Sequence, residues 1–432
     1  MRRFVLACLC WLAAPVLWAG ELPILFVHGN GDSAALWETT LWRFESNGYD
    51  PALLATIDFT HPTARDEDHV AQINRSSTSD ELAELTAAID RILADTHQDK
   101  LVLVGSSRGG YAIRNYIRHG GAAKVAVAIL CGTPNHGVFA LPFRFDLEFN
   151  GLGPFLRGLN HPAETDQGVR FVTLRSDHLD KYAQRWGDAI GFPNVPTFIG
   201  PSGPALDGAE NVVLPGLDHT EVAFSAKAFA VLYREITGEA PKYADPVAEA
   251  EPRLGGMISG FDNGAPTNLP LAGAALDIFE VDPTSGERKG AALWHQVTGA
   301  DGRWGPFAAR PDAYYEFVVT AAGYPVTQFY RTPFPRSSNV VHMRLEPLKP
   351  EDAGAVILSR PRGYFGKGRD TVLIDGKIPD SLPDGVPVLA RLSVRFPEAP
   401  ARSVAVQFNQ ERLTVRTVPA AEGHRVIAEV HN

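Results

Sequence analysis

Short apolar runs alternate with helical stretches from Leu22 to about Thr237, and this alternation constrains the fold more than any other feature. Strands buried on both faces read as continuous apolar runs, and helices that cover such a sheet separate the runs. The pattern therefore predicts an α/β domain with a mostly parallel sheet. The predicted strands are Pro23–Val27, Leu53–Ile57, Leu101–Gly105, Val125–Cys131, Val169–Leu174 and Asn211–Leu214.

The clearest predicted helix lies between the second and third of these strands. It begins at Thr78, because Thr78 and Glu81 have the spacing of a capping box. Its apolar residues keep the helical period and are expected to lie against the sheet. They are Leu82, Leu85, Ile89, Ile92 and Leu93.

Residues 1–20 have the pattern of a secretory signal peptide. Two arginines precede an apolar run from Phe4 to Trp18, and the small residues Ala19 and Gly20 follow it. The run is too short for a membrane-spanning helix. We therefore expect a secreted or periplasmic protein.

Charge and cysteine content limit the partners that we expect. The net charge of −10 becomes about −12 when residues 1–20, with two arginines and no acidic residue, are removed. An acidic protein argues against nucleic acid as a partner. Cys8 and Cys10 leave with the signal peptide, so Cys131 is expected to be a buried structural thiol.

The composition changes after about residue 238, and the helical period disappears. Residues 239–253 are rich in Pro, Ala and Glu and are predicted to form a linker. Residues 254–346 and 352–432 contain short alternating strands separated by turns. Each block is predicted to be a small antiparallel β-sandwich or barrel.

The segment Gly105-Ser106-Ser107-Arg108-Gly109 carries the most specific chemical signal. This G-x-S-x-G pattern follows a buried strand and precedes a helical stretch, which is the context of a nucleophile elbow. The turn between strand and helix is sharp, so the positions beside the serine must lack bulk. Ser107 is therefore the predicted nucleophile.

The segment Phe26-Val-His-Gly-Asn30 directly follows the first strand, at the position of an oxyanion loop. Two preorganised backbone donors stabilise the oxyanion of a tetrahedral intermediate. By position, these donors are the amides of Asn30 and Arg108. His28 is expected to brace the loop rather than take part in catalysis.

A nucleophilic serine needs a base and an acid that orients it, in the chain order Ser, Asp or Glu, His. His219 follows the last predicted strand and precedes a helix, so it is the predicted base. Asp177 comes soonest after the strand ending near Leu174 and is the preferred acid. Asp180 is the alternative, and Asp218 is expected to fix the loop of His219.

Residues 138–162 are rich in large apolar side chains. They are interpreted either as a helical excursion with a buried face or as a lid or rim that lines an acyl pocket, and the two interpretations are compatible. The candidate substrate-binding residues are Phe139, Leu141 and Phe143.

Residues 22–236 resemble the small bacterial lipases of the α/β-hydrolase superfamily. The resemblance is carried by Leu-Pro-Ile-Leu-Phe-Val-His-Gly-Asn-Gly, Val-Gly-Ser-Ser-Arg-Gly-Gly and Leu-Pro-Gly-Leu-Asp-His219. It implies oxyanion amides at Asn30 and Arg108 and favours Asp177 as the acid. The whole arrangement is similar to archaeal-type lipases with a lipid-binding C-terminal β-barrel, and the middle block resembles transthyretin-like modules.

These observations favour an exported serine hydrolase that cleaves carboxylic esters, with a lipase acting on long acyl chains as the leading version. An esterase or an extracellular polyester depolymerase is the near alternative. A lipid- or surface-binding protein with a vestigial hydrolase domain is the alternative of another class. The chemistry requires no cofactor or metal, and the expected partner is a lipid or ester substrate, with possible lipid contact by the C-terminal block.

Overall fold

A computed structural model describes residues 22–397 and 400–432. The predicted signal peptide lies outside the described residues. Among the helices of the described chain, none combines the length and apolar character that crossing a membrane requires.

The N-terminal region is built from eight strands and six α-helices. Its strands are β1 (Ile24–Val27), β2 (Leu54–Ile57), β3 (Leu101–Ser106), β4 (Val125–Cys131), β5 (Arg170–Arg175), β6 (Trp186–Gly187), β7 (Phe192–Pro196) and β8 (Glu210–Val213). Its helices are α1 (Glu38–Ser46), α2 (Thr78–Thr96), α3 (Arg108–Arg118), α4 (Pro154–Leu159), α5 (Glu221–Phe224) and α6 (Ala226–Thr237). Short 3₁₀ helices cover Ala34–Trp37, Pro51–Leu53, Gly121–Lys124 and Asp188–Ile190.

Six of these strands form one parallel sheet in the order β2-β1-β3-β4-β5-β8. The six predicted strands agree with the observed ones to within one residue at each end. Both faces of the sheet are covered, because one apolar core contains Phe26, Val104 and Phe229 and a second contains Leu103, Leu85 and Ile113. The predicted α/β-hydrolase fold class is confirmed.

The N-cap of helix α2 lies one residue earlier than the sequence predicts. The N-cap is Ser77, whose hydroxyl accepts from the amide of Asp80, and the Asp80 carboxylate accepts from the amide of Ser77. The capping box is therefore shifted by one position, since Ser77 can also supply the capping oxygen. The interior residues Leu85, Ile89 and Leu93 are buried as predicted.

Residues 238–252, all within the described chain, form neither helix nor strand, and they overlap the predicted linker, residues 239–253. Fourteen strands follow in the part of the chain that the structure describes. They are β9 (Arg253–Asp262), β10 (Ala265–Pro270), β11 (Ala275–Val281), β12 (Trp294–Val297), β13 (Arg303–Ala308), β14 (Tyr314–Thr320), β15 (Thr327–Arg331), β16 (Ser338–Leu345), β17 (Ala355–Ser359), β18 (Val372–Ile374), β19 (Arg391–Arg395), β20 (Ser403–Phe408), β21 (Glu411–Arg416) and β22 (Arg425–Glu429). A 3₁₀ helix covers Ala420–Glu422.

The two β blocks predicted as separate domains share one seven-stranded sheet, in the order β12-β11-β14-β15-β22-β17-β19. Strand β22 lies between β15 and β17 and runs parallel to both. The junction at residues 347–352 therefore does not divide the blocks. Alternating patterns identify strands but not their partners, because pairing between distant strands leaves no local signal. We call residues 253–432 the β region.

The β region packs directly against the α/β domain. Trp42 of α1 is buried in the apolar core of the β region, with its ring 6.1 Å from that of Phe334 and 5.1 Å from that of His431. Its indole nitrogen also donates to the carbonyl of Ser337 at 2.9 Å. The two parts of the chain are therefore joined by a buried aromatic contact.

Candidate active site

Ser107 lies in a sharp turn between β3 and α3, as the elbow pattern predicts. Its φ of 51° and ψ of −122° are unfavourable for a residue with a side chain. Its amide donates to the carbonyl of Cys131 at 2.8 Å, which ties the turn to the neighbouring strand. The strained conformation lifts the hydroxyl above the carboxyl end of the sheet.

Two glycines beside Ser107 make this turn possible. A Cβ on Gly109 would lie 2.5 Å from the carbonyl oxygens of Val27 and His28, and one on Gly105 would lie 2.8 Å from backbone atoms of α3. Both distances are well inside van der Waals contact. The pattern needs glycine at these two positions because helix α3 lies very close to strands β1 and β3.

The loop after β8 brings His219 to Ser107. The two atoms Nε2 of His219 and Oγ of Ser107 are 2.9 Å apart. The histidine is 3% exposed, and its ring packs edge-on against Tyr182 with centroids 4.6 Å apart. The structure thus brings together the predicted nucleophile and the predicted base.

The acid beside His219 is Asp180 and not Asp177, the residue preferred from the sequence. The Oδ1 atom of Asp180 is 2.9 Å from Nδ1 of His219 and also accepts from the amide of Tyr182 at 2.8 Å. Asp180 is 2% exposed, and its second oxygen has no hydrogen-bond partner among the residues that the structure describes.

Asp177 has a different task in the same loop. Its carboxylate accepts from the amides of His178 at 2.6 Å and Gly216 at 3.2 Å, so it ties the end of β5 to the loop that precedes His219. The sequence favours the first aspartate after the strand. The carboxylate of that aspartate instead accepts from backbone amides, and the carboxylate of Asp180, three residues later, contacts His219.

The segment predicted to form the oxyanion loop lies beside Ser107. The Gly29 backbone passes so close to Ser107 that an added Cβ would lie 3.0 Å from the Cβ of the serine. In residues 22–397 and 400–432, neither the amide of Asn30 nor that of Arg108 donates a hydrogen bond to another group. His28 braces the loop: its Nε2 accepts from the amide of Phe59 at 3.0 Å, and burial lowers its pKa to about 4.

The side chain of Arg108 points away from Ser107 into a buried charged cluster. Its guanidinium contacts the carboxylates of Glu81 on α2 and Glu148, and it donates to the carbonyl of Ser76 at 2.8 Å. All three charged side chains are at most 2% exposed. Burial raises the pKa of Glu81 to about 8, although the charge of Arg108 opposes this shift. Only the backbone of Arg108 is therefore available to the site.

Ser107 and His219 lie in a cleft of about 270 Å³. One part of its wall is apolar and is formed by Val138, Phe139, Leu147, Phe149, Ile190 and Phe192. Another part is polar and is formed by Asn30, Asp32, Tyr182, Thr220 and Tyr364. The cleft can therefore contact both an apolar chain and a polar group of a substrate.

Of the three candidate substrate-binding residues, Phe139 lines the cleft, while Leu141 and Phe143 do not. Leu141 is buried behind the wall, and Phe143 is 48% exposed at the surface. Residues 139–152 form a compact loop rather than a helix, because the side-chain amide of Asn150 donates to the carbonyls of Leu141 and Phe143. The loop agrees with the interpretation as a rim, and the short helix α4 follows it.

Four cleft residues come from distant segments and were not predicted from the sequence. Tyr182, Ile190 and Phe192 belong to the excursion between β5 and β8, and Tyr364 comes from the β region. No local signal links these positions to Ser107. Cys131, by contrast, is buried as predicted, and burial raises the pKa of its thiol far above the usual range.

Asp32 gives the cleft a titratable group. Burial raises the pKa of Asp32 to about 7, against the charges of Arg344 and Arg362. Because the folded protein then holds a proton that the unfolded chain loses near pH 4, stability falls as pH rises from about 4 to about 7. Stability falls in this direction because the pKa of Asp32 is higher in the folded protein than in the unfolded chain.

We expect the substitution Asp32→Asn to remove this decrease in stability with rising pH. The free energy of unfolding of the variant, relative to wild type, should increase between about pH 4 and about pH 8 in urea titrations. Asp177→Asn is the control. Burial alone would raise the pKa of Asp177, but the amides of His178 and Gly216 outweigh burial and lower it. A relative stability of Asp32→Asn that does not change with pH would contradict this assignment.

Two family models match the chain. Residues 21–134 match the model described as lipase (class 2), and residues 251–348 match the lipase C-terminal domain. The chain is similar to class 2 lipases. The first match includes the segments of Asn30 and Ser107. It supports the interpretation of this lipase-like chain as an ester-hydrolysing enzyme. No curated protein matches the chain.

Among solved structures, the mature form of Bacillus licheniformis lipase BlEst2 matches with 20% identity and a TM-score of 0.39, covering 50% of this chain and 93% of that chain. Its propeptide form matches with 16% identity and a TM-score of 0.38, covering 92% and 93%. Phospholipase PlaB from Legionella pneumophila matches with 12% identity and a TM-score of 0.33, covering 75% and 94%.

No group of three or more His, Cys, Asp or Glu side chains within the described ranges is arranged to hold a metal ion. The arrangement that the site does contain is a hydrogen-bonded series of Asp180, His219 and Ser107. Such a series can remove the proton of the serine hydroxyl when the serine attacks an electrophilic carbonyl.

Proposed function

We propose that this lipase-like chain is an exported serine hydrolase, a lipase that cleaves long-chain acyl esters through an acyl-enzyme on Ser107. The observation that carries the proposal is the 2.9 Å contact between Ser107 Oγ and His219 Nε2 in a cleft with an apolar wall. The signal-peptide pattern of residues 1–20 supports export.

In the first half-reaction, Ser107 Oγ attacks the ester carbonyl carbon while its proton moves to Nε2 of His219. Asp180 holds the ring so that Nδ1 keeps its proton and Nε2 is free to accept one. The developing oxyanion accepts hydrogen bonds from the amides of Asn30 and Arg108. Collapse of the intermediate breaks the bond to the alcohol, which leaves with the proton from His219.

In the second half-reaction, water repeats these steps on the acyl-enzyme. His219 takes a proton from the attacking water, and the tetrahedral intermediate again places its oxyanion on the two amides. When the bond to Ser107 Oγ breaks, the serine regains its proton from His219, and the carboxylic acid leaves. The free enzyme is restored without any cofactor.

The apolar wall favours a long acyl chain over a short one. Phe139, Phe149 and Phe192 lie on this wall, and each phenyl ring offers a large apolar area to an acyl chain. Exposed apolar side chains continue from the rim at Phe143, Phe145 and Leu152, which are 40–48% exposed. Such a patch suits a substrate presented at a lipid surface.

A series of aryl esters from acetate to palmitate tests the substrate class. We expect kcat/KM to rise with chain length, because each methylene that enters an apolar cleft contributes about 0.8 kcal/mol. Activity confined to the shortest esters would contradict a lipase and indicate an esterase. Hydrolysis of a solid polyester film in the same assay would favour the depolymerase alternative.

A further inference from the structure

The two acidic residues that flank His219 are held by the β region. Asp218 immediately precedes the histidine and is fully buried, and Glu221 follows it by two positions and is 8% exposed. Two arginines of the segment between β17 and β18 reach these carboxylates. We call residues 217–221 the base loop and residues 360–370 the clamp segment.

Asp218 contacts both the base loop and the clamp segment. Its Oδ1 accepts from the amides of Thr220 and Glu221, both at 2.9 Å, and so fixes the base loop internally. Its Oδ2 accepts from the amide of Tyr364 at 2.7 Å and from the guanidinium of Arg360 at 3.2 Å. One carboxylate therefore connects the backbone around His219 to the clamp segment.

Glu221 is held in the same way. Its carboxylate pairs with Arg360 and, at 2.9 Å, with Nη1 of Arg369. It also accepts from the amide of Asp218 at 2.7 Å. Two buried carboxylates so close to each other repel, and removing one partner of a buried ion pair leaves an uncompensated charge. The conformation of the base loop thus depends on the two arginines.

The clamp segment also contacts the residue that follows Asp180. The ammonium of Lys181, the residue after Asp180, lies 3.9 Å from the ring centre of Tyr364, and it donates to the carbonyl of Val388 at 3.3 Å. Tyr364 itself lines the cleft. The β region therefore contacts the segments that carry both His219 and Asp180.

A similar brace holds the oxyanion loop. Arg344 of β16 donates to the carbonyls of Gly31 at 2.8 Å and Asp32 at 3.2 Å, and Asn268 of β10 donates to the carbonyl of Asp32 at 3.0 Å. The contacts on both loops come from the β region. This region is therefore packed as part of the site and not as an appended module.

We propose that Arg360 and Arg369 are positioning residues, which hold the base loop so that His219 stays aligned between Ser107 and Asp180. The proposal rests on the proposed function, since it assigns the arginines a role in that reaction. Neither arginine lines the cleft in the described chain, so both act through Asp218 and Glu221. A displacement of about 1 Å at a reacting group can cost about 100-fold in rate.

The test compares Arg369→Gln with Arg336→Gln in the full-length protein. Both arginines belong to the β region and pair with a glutamate of the α/β domain, Arg369 with Glu221 and Arg336 with Glu45 at 3.1 Å. Their side chains are 20% and 15% exposed. Only Arg369 contacts the base loop, so Arg336→Gln controls for the general loss of a contact between the two parts.

We expect Arg369→Gln to lower kcat on a soluble aryl ester about 10- to 100-fold with little change in KM. Arg336→Gln should keep the wild-type kcat, and Arg369→Lys should recover part of the lost rate because it restores the charge. If Arg369→Gln fails to fold, Glu221→Gln removes the same contact from the other side, and the same loss of kcat is expected.

A wild-type kcat for Arg369→Gln, or an equal loss in Arg336→Gln, would overturn the positioning role while leaving the proposed function intact. An inactive wild-type protein would instead contradict the proposed function. The two failures are thus separated by the wild-type measurement alone.

Discussion

Replacing Asp180 with asparagine is expected to lower kcat about 10⁴-fold with little change in KM. An asparagine amide can donate to Nδ1 of His219, which places the ring proton on Nε2. The ring then cannot accept the proton of Ser107. Because asparagine has nearly the shape of aspartate, the free energy of unfolding should change far less than the rate.

Asp177→Asn is the matched control for this prediction. Asp177 lies three residues from Asp180 in the same turn, but its carboxylate accepts from backbone amides and not from the histidine. An asparagine side-chain carbonyl can accept from the same amides, so the rate should stay close to that of wild type. A large loss of activity in Asp177→Asn with an active Asp180→Asn would reverse the assignment.

The second large effect is expected for Ser107→Ala. Removing the nucleophile of a serine hydrolase lowers kcat by about 10⁶-fold, because no acyl-enzyme can form. The fold should survive, since alanine at this position keeps the Cβ and loses one hydroxyl. Circular dichroism and thermal unfolding of the variant would separate the loss of chemistry from a loss of structure.

Ser106→Ala is the control beside it. Ser106 is the last residue of β3 and is 2% exposed, and its loss removes a hydroxyl at nearly the same place. The variant should retain most of the activity. Equal losses in Ser106→Ala and Ser107→Ala would indicate that the elbow is sensitive to any change, and that Ser107 has no special role.

The parallel sheet could be predicted from the sequence because its evidence is local. The central strands β1, β3 and β4 contain runs of consecutive apolar residues such as Leu101–Val104, and strands buried on both faces need such runs. The elbow is equally local, since Gly105 and Gly109 are required by contacts within a few residues and with the adjacent strand.

The acid and the clamp could not be predicted in the same way. Asp177 and Asp180 are both aspartates that lie between Ser107 and His219 in the chain, so the chain order does not separate them. Only the path of the turn after β5 decides which of them faces His219. The role of Asp218 as the residue that fixes its own loop agrees with the expectation from sequence. Its partner Arg360, however, is 142 positions away, and no local pattern indicates that contact.

The proposed function depends above all on Ser107 as an activated nucleophile. Mass spectrometry of the protein after treatment with a fluorophosphonate probe tests this most directly, because the probe bonds covalently to serines that a neighbouring base activates. We predict one equivalent of label on the wild-type protein, carried by the peptide that contains Ser107, and no label on Ser107→Ala. An unlabelled wild-type protein, or undiminished labelling of Ser107→Ala, would contradict the account.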